Sequence, residues 1–182
     1  MDAASNIFTF LISTLFSLYI GAVLIRIILA ATRADFYNPI SQFIVTITNP
    51  TLIPLRKILP SIGKIDTASW TLAFLLKILE LFILLSIKSI KVSPDVLIIS
   101  AILQVLIILV TIFLYAVLFR AILSWFPSPQ MYQNPLFMIL TSITEPLLRP
   151  ARRIIPPVGA FDLSALAIIL VLYSILIALR SF

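Results

Sequence analysis

Histidine and cysteine are both absent from the chain's 182 residues. Their absence removes the usual zinc, haem and iron–sulfur ligand sets, thiol nucleophiles, disulfides and imidazole acid–base chemistry. Glycine occurs only three times, too few for a glycine-rich phosphate loop. No nucleophile–base pair stands out, so no enzyme, metal or cofactor is expected. Charge is scarce as well: 11% of residues are Asp, Glu, Lys or Arg, against about a quarter in a soluble domain. What fills the chain instead is hydrophobicity, 62% of it, the composition of an integral membrane protein. The net charge of +6 does not argue for a nucleic-acid partner. The cations border apolar runs, where the positive-inside rule accounts for them.

A helix crosses the roughly 30 Å hydrocarbon layer with about 20 residues. Four stretches qualify: residues 7–31, 68–87, 96–119 and 163–180. The first cation, Arg26, follows an apolar run, so the leading segment is not expected to be a typical cleavable signal peptide. All twelve prolines lie in the connections, and Gly21 is the one glycine within a span. A short turn, KSIKVSPD at 88–95, joins the middle spans.

The two long connections say the same thing twice. Residues 38–68 and 134–164 align without a gap, with 12 of 31 positions identical. The identities are mostly Asn, Pro, Arg, Gly and Asp, residues that fix backbone or charge. The chain therefore divides into two repeats, 1–90 and 91–182, each a span, a long connection and a second span. Two spans per half send both halves into the membrane in the same direction. The expected fold is an all-α membrane protein of four transmembrane helices in two parallel repeats about a pseudo-two-fold along the membrane normal. Nine cations flank the long connections: Arg26, Arg33, Arg56, Lys57, Lys64, Arg120, Arg149, Arg152 and Arg153. Lys88, Lys91 and Arg180 flank the other side. The balance places the connections in the cytoplasm and the termini outside.

Within each connection, Ile40, Phe43, Ile44 and Ile47, and equivalently Leu136, Ile139, Leu140 and Ile143, form an apolar stripe at helical spacing. Each stripe ends at a proline, Pro50 or Pro146, where the residue before the ring is steered out of helical geometry. A corner is expected there, then a second piece carrying Pro54 or Pro150 and ending in paired cations, Arg56-Lys57 or Arg152-Arg153. That piece stops at Pro60 or Pro156, and Gly63 or Gly159 turns the chain. Asp66 and Asp162 are placed to cap the next span. The connections thus read as interfacial amphipathic helices or re-entrant loops, with Arg56, Lys57, Arg149, Arg152 and Arg153 facing anionic headgroups or a partner.

Lys77, Glu80 and Gln104 fall deep inside spans. Lys77 and Glu80, three apart, share one helix face, and a charge at that depth marks structural glue or a site. Gln104 on the next span lies at similar depth and is placed to bond Glu80 across the helices. The matching positions in the second half are Tyr173 and Leu176, so the pair is not duplicated. Arg26 and Arg120 do match. They either snorkel to the headgroups or pair with Asp35, Asp66 or Asp162.

The repeated pattern T-[NE]-P-x-L-x-P-x-R-[KR]-[IL]-[IL]-P-x-x-G-x-[IF]-D, at Thr48–Asp66 and Thr144–Asp162, resembles the YggT family of bacterial membrane proteins, with relatives called YlmG. The resemblance covers nearly the whole chain, and its doubled form looks like the proteobacterial members. It implies an inner-membrane location and roles in osmotic tolerance and ion homeostasis, cell-division or nucleoid organisation, or, in plastids, cytochrome b6 maturation. It carries over no catalytic residues, and the lack of His argues against haem ligation by this chain. Two functions are expected to compete. One is a non-enzymatic membrane assembly or scaffold factor with a membrane-protein partner. The other is a small ion or osmolyte channel or transporter, or an accessory of one, acting as a homo-oligomer.

Overall fold

The computed structural model describes residues 3–62, 66–126, 128–155 and 162–181. Gly63, Lys64, Pro156 and Gly159 lie outside the described residues, and so do the turns expected there. The described residues form helices α1 (Ala3–Ala31), α2 (Pro39–Ile58), α3 (Thr67–Ile87), α4 (Pro94–Ser124), α5 (Pro129–Tyr132), α6 (Pro135–Ile154) and α7 (Leu163–Arg180). Four of them, α1, α3, α4 and α7, are long and apolar enough to cross a membrane, and they match the four expected spans to within a few residues.

The boundaries follow local chemistry. Pro39, Pro94 and Pro135 each open a helix at its first turn, where a missing N–H costs nothing. Asn38 and Asn134 cap α2 and α6 by accepting from the amides of Ile40 and Leu136, each at 2.9 Å. At the end of α1 the Arg33 amide bonds the Ala30 carbonyl and the Ala34 amide bonds Leu29. Arg33 adopts a left-handed φ of 52°, so this is a Schellman stop built without glycine. Ser89, at φ 54°, ends α3 the same way, through Ser89 to Ser86 and Ile90 to Leu85.

The proline corners expected after Asn49 and Glu145 are not there. Pro50 and Pro54 sit inside α2, and Pro146 and Pro150 inside α6; each helix runs unbroken for 20 residues. An interior proline removes one ladder bond and crowds the carbonyl a turn earlier. Such breaks are tolerated where neighbouring groups and local adjustments hold the helix in place, and the side chains that bond α2 and α6 near their prolines are described below.

Within each half the two long helices pack together, α1 on α3 and α4 on α7, and the proline-bearing helix packs against both. The halves meet through α3–α4, α1–α4, α1–α6 and α2–α6. One core cluster joins Ile20, Val23 and Leu24 of α1 to Ala73 of α3 and Val105 of α4. Another joins Ile28 and Leu29 to Ala116 and to Ile139, Leu140 and Ile143 of α6. The two apolar stripes therefore turn in part toward the protein: Ile44 and Ile139 are buried, while Phe43 and Leu136 stay exposed.

Candidate functional site

Arg26 is the most deeply placed of the repeat-matched cations, with 8% of its surface exposed. Its Nη1 donates to Thr48 Oγ1 at 2.6 Å, to Asn49 Oδ1 at 2.9 Å and to the Val45 carbonyl at 3.3 Å. Tyr19, seven residues earlier on α1, donates to the Ile47 carbonyl at 3.4 Å and is hydrogen-bonded to Thr51 Oγ1 at 2.6 Å. Pro50 takes the ladder donor away from Thr46, and Arg26 and Tyr19 serve the carbonyls on either side. Thr48 also donates back to the Ile44 carbonyl at 2.7 Å. These bonds tie α2 to α1 around its first proline.

The second half repeats the node with one change. Arg120 Nη1 donates to Thr144 Oγ1 at 2.7 Å, and Nη2 to Glu145 Oε2 at 2.9 Å. Thr144 donates back to the Leu140 carbonyl at 2.6 Å. Both arginines therefore bind the Thr-Asn-Pro or Thr-Glu-Pro turn of their own half. This replaces both sequence expectations: neither guanidinium snorkels outward, and neither bonds Asp35, Asp66 or Asp162.

Asp66 and Asp162 do cap their helices. Asp66 accepts from the Ser69 amide at 3.3 Å and from Ser69 Oγ at 2.7 Å. Asp162 accepts from the Ser164 amide at 3.1 Å and from the Ser164 hydroxyl. Each also holds the first cation of the repeated pair: Arg56 with Asp66, and Arg152 with Asp162 at 2.6 Å. Burial alone raises both carboxyls, but hydrogen bonds from the serine and from the arginine outweigh it and hold each below the ordinary carboxylate value. Arg152 lies 3.8 Å from Glu145, so Arg120, Glu145, Arg152 and Asp162 form one network across α4, α6 and the start of α7. Lys57, Arg149 and Arg153 are exposed. Among the described residues, the paired cations thus divide between one held by a capping carboxylate and one that is exposed.

Lys77 Nζ bonds Glu80 Oε2 at 2.7 Å, and both residues are 3% exposed. The expected bond from Gln104 to Glu80 is not made among the described residues; Gln104 is half-buried on α4. Side-chain reach rather than depth decides that failure, since Glu80 turns along its own helix to Lys77.

Sequence reasoning missed the two nodes, although their signal was present. Arg26 with Thr48 recurs as Arg120 with Thr144, at matching places in the two halves.

A family profile described as CCB3/YggT matches residues 5–87 and 99–182. An uncharacterized protein from the proC 3′ region of Vibrio alginolyticus is 43% identical over 166 residues, covering 90% of this chain and 88% of the relative. The uncharacterized protein YggT of Escherichia coli K12 is 36% identical over 170 residues, 93% and 87% of the two chains. Ycf19 of Guillardia theta is 42% identical over 53 residues, 29% of this chain and 57% of the relative. No solved structure matches.

Proposed function

From the premise that this chain belongs to the CCB3/YggT family, we propose that it is a non-enzymatic assembly scaffold of the bacterial inner membrane, acting in osmotic tolerance. The observation that carries this reading is the twice-built arginine node. Arg26 and Arg120 spend their hydrogen bonds on fixing α2 and α6 against the spans, a use of buried charge that serves shape. At the far ends of these helices Lys57, Arg149 and Arg153 remain free to meet anionic headgroups or an acidic face of a membrane-protein partner. The halves enter the membrane in parallel, with α2 and α6 on the cytoplasmic side as interfacial or re-entrant helices and the termini in the periplasm, in keeping with the cation count.

The test is complementation of a deletion strain after hyperosmotic shift. The triple variant Lys57→Glu, Arg149→Glu, Arg153→Glu is expected to insert at wild-type level and fail to rescue growth. Full rescue would refute the scaffold reading.

The second reading, a small oligomeric ion or osmolyte channel, draws on the charges of Lys77 and Glu80 inside a span. Against it stands the closure of the pair on itself, with no bond to Gln104. Potassium flux in proteoliposomes that Glu80→Gln abolishes would reverse the ranking.

A further inference from the structure

A cavity of about 830 Å³ lies between α1, α2, α4 and α6, and it is open rather than enclosed. Three properties define what it takes. First, two of its walls, α1 and α4, are helices long and apolar enough to cross a membrane, so acyl chains of a surrounding bilayer would lie beside it. Second, the polar side chains on its wall are three hydroxyls, Ser17, Thr111 and Tyr115, with no charge among the lining residues. Such a space stabilises neither an ion nor a polar solute, and an apolar cavity stays dry and takes apolar guests. Third, a Cβ placed on Gly21 would meet nothing within 4 Å, so room is left at the wall itself.

The lining is also double. Ser17 and Gly21 of α1 correspond to Thr111 and Tyr115 of α4, at the offset of 94 that relates Arg26 to Arg120. The two apolar stripes of α2 and α6 line it at equivalent positions, offset by 96. Each half therefore offers the cavity the same kind of wall. A guest with two equivalent apolar arms fits such a space better than a single rod.

We propose that this cavity is a binding site for one two-chain glycerophospholipid of the bilayer, with one acyl chain against each repeat. This inference is independent of the scaffold reading. A phospholipid held here would fill the space that α1, α2, α4 and α6 line.

Native mass spectrometry of the detergent-purified chain, after exhaustive delipidating washes, tests it. The wild type is expected to retain one phospholipid per chain. Gly21→Phe is expected to lose it by roughly tenfold in occupancy, since the ring takes the space left at that wall. Leu170→Phe, on an exposed face of α7 outside the cavity, is expected to retain it. As a readout that needs no variant, a phospholipid carrying a photoreactive acyl terminus should cross-link to α1, α2, α4 and α6 lining residues of the wild type. No retained lipid, equal loss in both variants, or cross-links spread evenly over all four spans would overturn the proposal. So would a dimer that Gly21→Phe returns to monomer with lipid content unchanged, since the occupant would then be a second copy.

Discussion

In the first half, Arg26 meets Thr48, Asn49 and a carbonyl, all neutral acceptors; in the second, Arg120 meets Thr144 and the carboxylate of Glu145. A second difference sits beside the first. Tyr19 and Thr51 are hydrogen-bonded in the first half, whereas their counterparts, Phe113 and Leu147, pack on the cluster of Val117, Leu148 and Ala165. A third is the pair Lys77 and Glu80, whose counterparts by sequence are Tyr173 and Leu176. The same backbone device has thus been kept while its surroundings changed in matched pairs. Where one half has hydroxyl with hydroxyl the other has ring with aliphatic, and where one half has an ion pair the other has two neutral side chains. A buried polar group is tolerated only with its partner, so the members of each pair change together.

The sharpest way to break this comparison is to unpair one member. Lys77→Met alone, or Glu80→Leu alone, leaves a lone charge in a span and is expected to cost about 3–5 kcal/mol, seen as loss of inserted protein and a lower melting temperature in detergent. The double variant, which gives the first half the neutral character of Tyr173 and Leu176, is expected to return close to wild type. A double variant as damaged as the singles would show that the pair does more than neutralise itself.

Next come the arginines. Arg26→Met strands Thr48, Asn49 and the Val45 carbonyl in the interior and is expected to cost about 3 kcal/mol. Arg120→Met leaves Glu145, whose side chain is 43% exposed, able to hydrate, so about 2 kcal/mol is expected. Thermal unfolding of the two side by side checks the order; equal losses would mean that the carboxylate and the neutral acceptors do the same work.

Smaller still is the hydroxyl pair. Tyr19→Phe and Thr51→Leu are each expected to cost about 1 kcal/mol, and the double variant less than their sum, in a double-mutant cycle. The smallest effect is with acid. Asp66 and Asp162 ionise more readily in the fold than in the unfolded chain. Their contribution is complete above the ordinary carboxylate value of about 4 and drains away as pH falls through the lower folded value. A melting temperature that declines below about pH 4, and declines less in Asp66→Asn with Asp162→Asn, is the expected record.

The spans were legible because length and hydropathy alone specify them, and Asp66 and Asp162 because a helix start asks for an acceptor at that place. The caps needed no knowledge of tertiary structure. The prolines were misread for the opposite reason. Proline's bias acts on the residue beside it, but whether a helix continues depends on its tertiary surroundings, here the bonds that Arg26, Tyr19 and Arg120 make around Pro50 and Pro146. Gln104 was misjudged because equal depth on adjacent helices says nothing of which way each side chain turns. Lys57, Arg149 and Arg153 are exposed, while Arg56 and Arg152 are held by the capping carboxylates.

The Asn38 side chain donates to the Pro135 carbonyl at 2.8 Å, across 97 positions of sequence. A ribosome adding about 5–20 residues per second reaches that carbonyl some 5–20 s after Asn38. Throughout that interval the amide, 4% exposed in the finished protein, has no such partner. The first half must therefore wait in the membrane with its α2 start unlatched. Synthesis order makes this bond a late clasp between the two halves.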